Sequence, residues 1–476
     1  MSTFEQTRVA SPVRSSSIAV TFLILAAIVV PIALLPNLGI VALTAGFVVV
    51  FVAFQRLRPQ HERGGLLEVI VPYSVLNFLY FGVGTLYLVL YPGALRYQSL
   101  RPYLVPAVAL GLLGYLCFLV GYGWFFRATP PSRLGTLEPS GVLIYLVPAV
   151  VGAVGYGAHR FQIASISAGA GISPGVSFIQ QFGTLFLFAW YLGWYMRWAG
   201  RLRGVSTAFV LGGLGSTAAC IMFLSVGTKA LAITIAGMPL VAYYDVRRKL
   251  PWKTVMVLGL IAVFVIFPMY NTYRLVGRSL DTVDRVDRTV EVASRWDGNE
   301  YLEASVFAFL RRMTLAVPLA AIISDTGRWV DYRYGETLIL APIGLLIPRI
   351  LWPDKPNISI GREFGTTFRL IRQGDYETEV ALSMVGDFYW NFALPGAVIG
   401  MLLVGMGYRW YYQRYGAGTG YDPVRRAVYA TVLPSALLFE GNVAIVIAGI
   451  IKQLVIVTLL LAVAHRIGWL REKETA

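Results

Sequence analysis

The chain has 476 residues, 57% of them apolar and only 14% charged, with a mean hydropathy of +0.65. Soluble domains carry about 25% charged residues, so this balance excludes an ordinary soluble globular protein. Forty bases against 25 acids give a formal charge of +15, whose distribution along the chain matters more than its sum.

A helix needs roughly 20 apolar residues to cross a hydrocarbon core of about 30 Å. Twelve stretches qualify: 17–36, 38–55, 66–91, 104–126, 141–157, 179–196, 205–226, 228–244, 254–270, 388–408, 424–440 and 445–465. The first is too long for a signal-peptide core and no small-residue cleavage site follows it, so it is expected to stay as a helix. Cys117 and Cys220 both lie inside apolar runs and form no CxxC pair, which leaves neither a disulfide framework nor a cysteine metal site.

With the N-terminus placed in the cytoplasm, the inner connections and both termini hold 21 bases and seven acids, +14 of the total +15. The positive-inside rule then puts both termini in the cytoplasm. Contact with the anionic headgroups of the inner leaflet accounts for the excess charge, and no nucleic-acid partner is needed.

One connection is long. Residues 271–380 form a 110-residue outer segment between the ninth and tenth spans, with 14 bases and 15 acids. A structureless loop of that size is rare, so the segment is expected to fold and to work. Its two apolar stretches, 304–323 and 337–352, are interrupted by Arg311 and Arg312 and by Pro342, Pro348 and Arg349. Both read as interfacial or re-entrant helices. The division expected is therefore a membrane bundle over 1–270, the outer segment over 271–380, and C-terminal membrane helices over 381–476.

Within the outer segment, Asp281, Asp284 and Glu291 each precede an arginine by four residues, the favourable order for helical ion pairs. These acids therefore read as a solvated, self-paired helix rather than a metal face, and no metal or other cofactor is expected. Thirteen of the segment's 14 bases are arginine, whose planar fork grips phosphate or carboxylate through two hydrogen bonds. The whole chain prefers arginine, so placement is what counts. Arg274 and Arg278 follow the ninth span, Arg311 interrupts the first apolar stretch, and Arg349, Lys355 and Arg362 follow the second, at the depth of a lipid-linked pyrophosphate.

His159 and Arg160 lie on the same side, after the fifth span. His61 and His465 fall on the inner side, which leaves His159 as the one outer imidazole able to move a proton near neutral pH. Glu440 and Lys452 sit in or near later spans, where a charge is by default a functional feature; the plainer alternative is that Glu440 lies at the outer interface and the two pair. Gly227, Thr228 and Lys229 lack the upstream glycine spacing of a P-loop.

The stretch IPRILWPDKPNISIGREF and the following SMVGDFYWNFALPGAVIGM carry a resemblance. They resemble the Wzy-like polymerases that build O-antigen, part of lipopolysaccharide, and exopolysaccharides from oligosaccharide repeat units. Members share ten to fourteen spans, one large late periplasmic loop, a proline-bounded IPR-x-LWP-x-KP segment and an S-x-x-G-[ED]-x-Y-x-N-F-[GA] run entering the next helix. Here that run is Ser383, Gly386, Asp387, Tyr389, Asn391, Phe392 and Ala393, with aspartate where glutamate is common and alanine where glycine is. The family's arginine-x10-glycine pattern has compatible matches at Arg160 to Gly171 and Arg333 to Gly344, a number that chance alone nearly supplies.

The resemblance implies a multi-pass glycosyltransferase of the bacterial inner membrane. It would pass a growing glycan from undecaprenyl pyrophosphate to a sugar hydroxyl of an incoming lipid-linked repeat unit, on the periplasmic side. Departure of pyrophosphate needs cations, for which Arg274, Arg278, Arg349 and Arg362 are suited; attack needs a base, for which His159, Asp387 or Glu379 is suited. Partners are the lipid-linked donor and acceptor and the membrane lipids, with a chain-length regulator left open. An O-antigen ligase could share this architecture. A lipid-linked oligosaccharide flippase predicts two similar halves with charges at the midplane; no such repeat is visible, and most outer bases lie in one loop. The fold expected is an all-α bundle of about twelve spans, capped by the outer segment, with Gly396 and Gly400 letting the tenth span pack closely.

Overall fold

The computed structural model describes residues 36–58, 63–124, 137–167, 173–224, 229–276, 282–339, 347, 351–352, 360–375, 378–418 and 421–472. The first expected span, most of the 337–352 stretch, and Asp281, Arg278, Arg349 and Lys355 lie outside them.

Among the described residues the chain is all-helical apart from one small sheet. In order, the helices are α1 (Pro36–Leu57), α2 (Ile70–Leu90), α3 (Leu104–Trp124), α4 (Leu143–Ser167), α5 (Pro174–Trp198), α6 (Gly204–Leu224), α7 (Lys229–Arg247) and α8 (Trp252–Tyr273). They continue with α9 (Thr282–Ser294), α10 (Gly298–Arg312), α11 (Ala316–Asp325), α12 (Gly361–Thr367), α13 (Met384–Tyr411), α14 (Pro423–Ala436) and α15 (Val443–Arg466). Eleven of the twelve expected spans fall on described residues, and each is helical over most of its length. Eight of these helices (α1, α2, α3, α5, α6, α8, α13 and α15) are long and apolar enough to cross a membrane. The first half of α8 buries none of its residues and shows Val255, Val257 and Leu260 outward, a surface that belongs in hydrocarbon rather than in water.

Local signals explain several starts. Pro174 and Pro423 open their helices at positions where a missing N–H costs nothing. Asp297 caps α10 by accepting the Glu300 N–H at 2.7 Å, while the Glu300 carboxylate accepts the Asp297 N–H at 3.2 Å. The helix bends by 46° into α11 across Met313, Thr314 and Leu315, so the stretch expected to be interfacial or re-entrant over 304–323 is two helices joined at a bend, the form of a broken span or of a re-entrant loop.

Strands β1 (Leu137–Pro139) and β2 (Leu470–Glu472) pair antiparallel, tying the start of α4 to the end of α15. This sheet marks one end of the molecule; the described part of 271–380 caps the other. Two apolar clusters fill the space between. One joins α1, α2, α3, α11, α12 and α13 around Tyr73, Phe118, Phe364 and Trp390; the other joins α4 to α7 around Phe186, Phe188 and Tyr191. Helices α14 and α15 contribute to both. Close backbone approach between α3 and α13 is made at Gly121 and Gly405, where a Cβ would stand 2.0 Å from the Leu402 carbonyl oxygen and 2.1 Å from that of Phe118.

The sheet end corrects one expectation. Arg58, Arg409, Arg425 and Arg426, read from sequence as inner-surface bases facing lipid headgroups, are each at most 4% exposed. Glu68, buried at the start of α2, lies 2.7 Å from Arg58 and 3.6 Å from Arg409 and accepts from the Tyr122 hydroxyl at 2.8 Å. Asp245 on α7 lies 3.4 Å from Arg426 and accepts from Tyr191 at 2.5 Å, and Asp422 pairs with Arg425. A buried guanidinium needs a counter-charge, and these acids supply it from inside the protein.

Candidate functional site

The Ser383–Ala393 run builds the joint between α13 and the outer segment. Ser383 takes φ +62 and caps the helix, its hydroxyl oxygen accepting the Gly386 N–H at 3.3 Å. One turn on, Asp387 is fully buried, and both carboxylate oxygens are used: Oδ1 accepts from Thr337 Oγ1 at 2.7 Å and from Asn391 Nδ2 at 3.1 Å, and Oδ2 accepts from the Val443 N–H at 2.9 Å. Asn391 also donates to Thr337 Oγ1 at 2.6 Å and accepts the Gly335 N–H at 2.9 Å. The N–H groups of Arg333 and Tyr334 donate to the carbonyls of Trp390 and Asn391 at 3.1 and 3.2 Å, and the Arg333 guanidinium stacks 4.7 Å above the Trp390 ring. Residues 333–337 are thus laced to one face of 387–391.

The helix then breaks. Phe392 (φ −140°) and Ala393 (φ +52°, ψ −147°) leave helical geometry, and the turn before the break folds back on the turns after it. A Cβ at Gly400 would meet the Phe388 ring at 2.4 Å, and one at Gly396 the Phe388 carbonyl oxygen at 2.5 Å. The glycine pair expected to serve helix–helix packing serves this fold-back, and Gly121 and Gly405 make the α3–α13 approach.

Beside the joint lies a cavity of about 510 Å³, walled by the end of α2's connection to α3, the α10–α11 bend, α12 and the α14–α15 turn. Its charged lining is Arg96, Arg312, Glu379 and Glu440, joined by polar residues that include Tyr97, Thr314, Thr378 and Asn442. Arg312 pairs with Glu440 at 2.9 Å, and the Tyr80 hydroxyl donates to the same carboxylate at 3.0 Å. Glu440 therefore pairs with Arg312 and not with Lys452, because α15 carries Lys452 more than two turns away from it. Arg96 lies 5.5 Å over the Tyr97 ring and pairs with no carboxylate among the described residues. The Tyr97 hydroxyl in turn donates to the Leu370 carbonyl, holding the segment after α12 against the cavity wall.

On the other side of α10 is a wider hollow of about 970 Å³, lined by Asn271, Arg288, Trp296, Glu300, Glu303 and Arg311, among others. Here the charges answer one another. Arg311 pairs with Glu303 at 2.8 Å, and Glu291 holds both Arg288 and Arg295, the latter at 2.5 Å. The Arg288 hydrogen bond keeps the exposed Glu291 carboxyl below the usual range. The self-paired reading of α9 thus holds at Glu291, whereas Arg285 stacks 4.1 Å over Tyr273 and donates to its carbonyl at 2.6 Å.

The residues singled out in the sequence fall in different places. Glu379 lines the cavity and Arg311 the hollow; Arg362 is exposed on the first turn of α12. Arg274 belongs to the last helical turn after α8, its side chain outside the described ones. Asp387 is sealed in the joint. His159, expected in a connection after the fifth span, is exposed inside α4 two turns before its end, next to half-buried Arg160; it has Gln180 Oε1 3.3 Å from its Nδ1 and belongs to the α4–α7 side of the molecule. Sequence reasoning singled out neither Arg96 nor Glu68, and named Arg312 only as an interruption of an apolar stretch. The first was legible as a base in an outer connection; the other two depend on which helices meet. Among the described residues no three metal-ligating side chains converge. No protein-family model, curated protein or solved structure matches the chain.

Proposed function

We propose that the chain is a polysaccharide polymerase of the bacterial inner membrane, with about twelve spans, both termini in the cytoplasm and the 271–380 segment in the periplasm. It transfers a glycan from undecaprenyl pyrophosphate to a sugar hydroxyl of a second lipid-linked repeat unit. The observation that carries this reading is the 510 Å³ cavity, where Arg96, with no carboxylate of its own among the described residues, faces Arg312, Glu379 and Glu440 beside the family-like joint.

In this reaction the C1–O bond to pyrophosphate breaks and a C1–O bond to the acceptor oxygen forms. Glu379 takes the acceptor's proton, and the pyrophosphate leaves with the bonding pair and its negative charge. Arg96 and Arg312 meet that charge, most strongly as it develops, so they lower the barrier rather than only the binding energy. Arg312 is preorganised by Glu440, and Tyr80 orients Glu440. Asp387 acts through position: it fastens Thr337 and the start of α15, whose turn supplies Glu440 and Asn442 to the cavity wall.

Purified protein in liposomes with lipid-linked repeat units tests the reading. Wild type should lengthen the glycan, while Arg96→Ala and Glu379→Gln should each lower the rate about 100-fold or more with the protein still monodisperse. Full-rate polymerisation by both variants would remove the assignment. Transfer of finished polymer to a lipid A core acceptor, without lengthening, would make the chain a ligase.

A further inference from the structure

The hollow between α8, α9 and α10 has a different chemistry from the cavity, and the difference points to a different part of the substrate. Its bases are neutralised in place, Arg311 by Glu303 and Arg288 by Glu291, and Glu300 is engaged in capping α10. An anion gains little from such a lining, which, unlike the cavity with Arg96, holds no base without a carboxylate partner. What remains on offer is the half-buried face of Trp296 surrounded by Asn271, Glu300, Glu303 and the two guanidinium forks. An aromatic face amid planar side chains that give and take paired hydrogen bonds suits a neutral sugar ring, whose C–H face packs on the indole and whose hydroxyls match the forks. At about 970 Å³ the hollow is at the upper end of ligand pockets, which run to roughly 1,000 Å³.

The two sites are linked by adjacent residues. Arg311 lines the hollow and Arg312 the cavity, at the last turn of α10 before the 46° bend. A chain anchored in the cavity by its charged end enters the hollow beside Arg311 and, following α10 through Ala308, Ala304 and Glu300, reaches Trp296 about 20 Å further on. We infer that the hollow is a binding site for neutral oligosaccharide, holding sugars several units away from the reacting pyrophosphate end. The inference rests on the glycosyl-transfer reading above for what enters the cavity, while its own content is a second, charge-neutral glycan site on the far side of α10.

The test is saturation-transfer NMR on the full-length protein in nanodiscs. The probe is the neutral oligosaccharide fraction released by mild acid from the surface polysaccharide of cells carrying this chain, without lipid or phosphate. Wild type should bind it. Trp296→Ala should weaken binding roughly tenfold, Trp296→Phe should keep it within about threefold because a ring remains, and neither Arg96→Ala nor added inorganic pyrophosphate should displace it. If pyrophosphate or Arg96→Ala abolishes binding while Trp296→Ala leaves it intact, the sugars sit in the cavity and the hollow site is wrong, with the polymerase reading untouched. If wild type binds none of the fraction, the hollow site also fails. The polymerisation assay then judges the polymerase reading separately.

Discussion

Asp387→Ala should unfasten the outer segment without dissolving the helical bundle. The carboxylate receives three donors in a fully buried site. Asn391 keeps two other partners for its amide N–H groups, Thr337 Oγ1 and the Asp387 carbonyl. The Thr337 hydroxyl and the Val443 N–H lose the acceptor that holds them. A buried donor left unmade costs about 1–3 kcal/mol, so two cost about 2–6 kcal/mol. Deuterium exchange followed by mass spectrometry reads this directly, because the Val443 amide is itself one of the orphaned donors. Peptides covering 333–339 and 441–446 should exchange on the order of 100-fold faster, the factor for about 3 kcal/mol. Peptides from α3 and α5 should keep their wild-type protection. Unchanged exchange at Val443 would refute the fastening role. If Asp387→Asn instead keeps full protection yet abolishes polymer, the carboxylate belongs to the chemistry and not to the joint.

Two other substitutions probe the fold. Glu68→Gln removes the carboxylate that Arg58 and Arg409 share, a loss of about 3 kcal/mol or more; the fraction monodisperse after heating in detergent should fall sharply, and an unchanged melting profile would count against the buried network. Ala393→Gly should raise the unfolding midpoint, since an alanine at φ +52°, ψ −147° carries about 1–3 kcal/mol of backbone strain that glycine does not. Against this stands glycine's extra entropy of roughly 0.5–1 kcal/mol, and a lowered midpoint would show that the alanine is not strained there.

The helices were legible because hydrophobic length is a one-dimensional property. From α1 to α15 the described apolar runs became helices, and charge alternation separated the end rich in arginine from the end carrying the long segment. The importance of the Ser383–Ala393 run was legible too, although its meaning was not. Asp387 reads equally well as a base or as a buried acceptor until the positions of Thr337 and Val443 are known, 50 and 56 residues away. Gly396 and Gly400 have the spacing for close packing, but sequence does not say that a break at Phe392 brings Phe388 back onto them. Glu68 was counted as part of a span and so dropped out of the charge balance; its role exists only because Arg58, Tyr122 and Arg409 arrive there from three other helices. Likewise, whether Arg311 or Arg312 faces the cavity turns on helical phase at a bend.

The paired arginines at the sheet end separate two moments in the protein's assembly. Cationic side chains influence topology while they are still in water or among headgroups, yet Arg58, Arg409, Arg425 and Arg426 finish sealed against carboxylates. Their charge can therefore act as an address only before the helices dock, and afterwards it is spent as internal glue. A neutral partner at Glu68 or Asp245 would leave such an address intact and spoil the docking, so a chain correctly threaded through its bilayer would still fail to become a compact molecule.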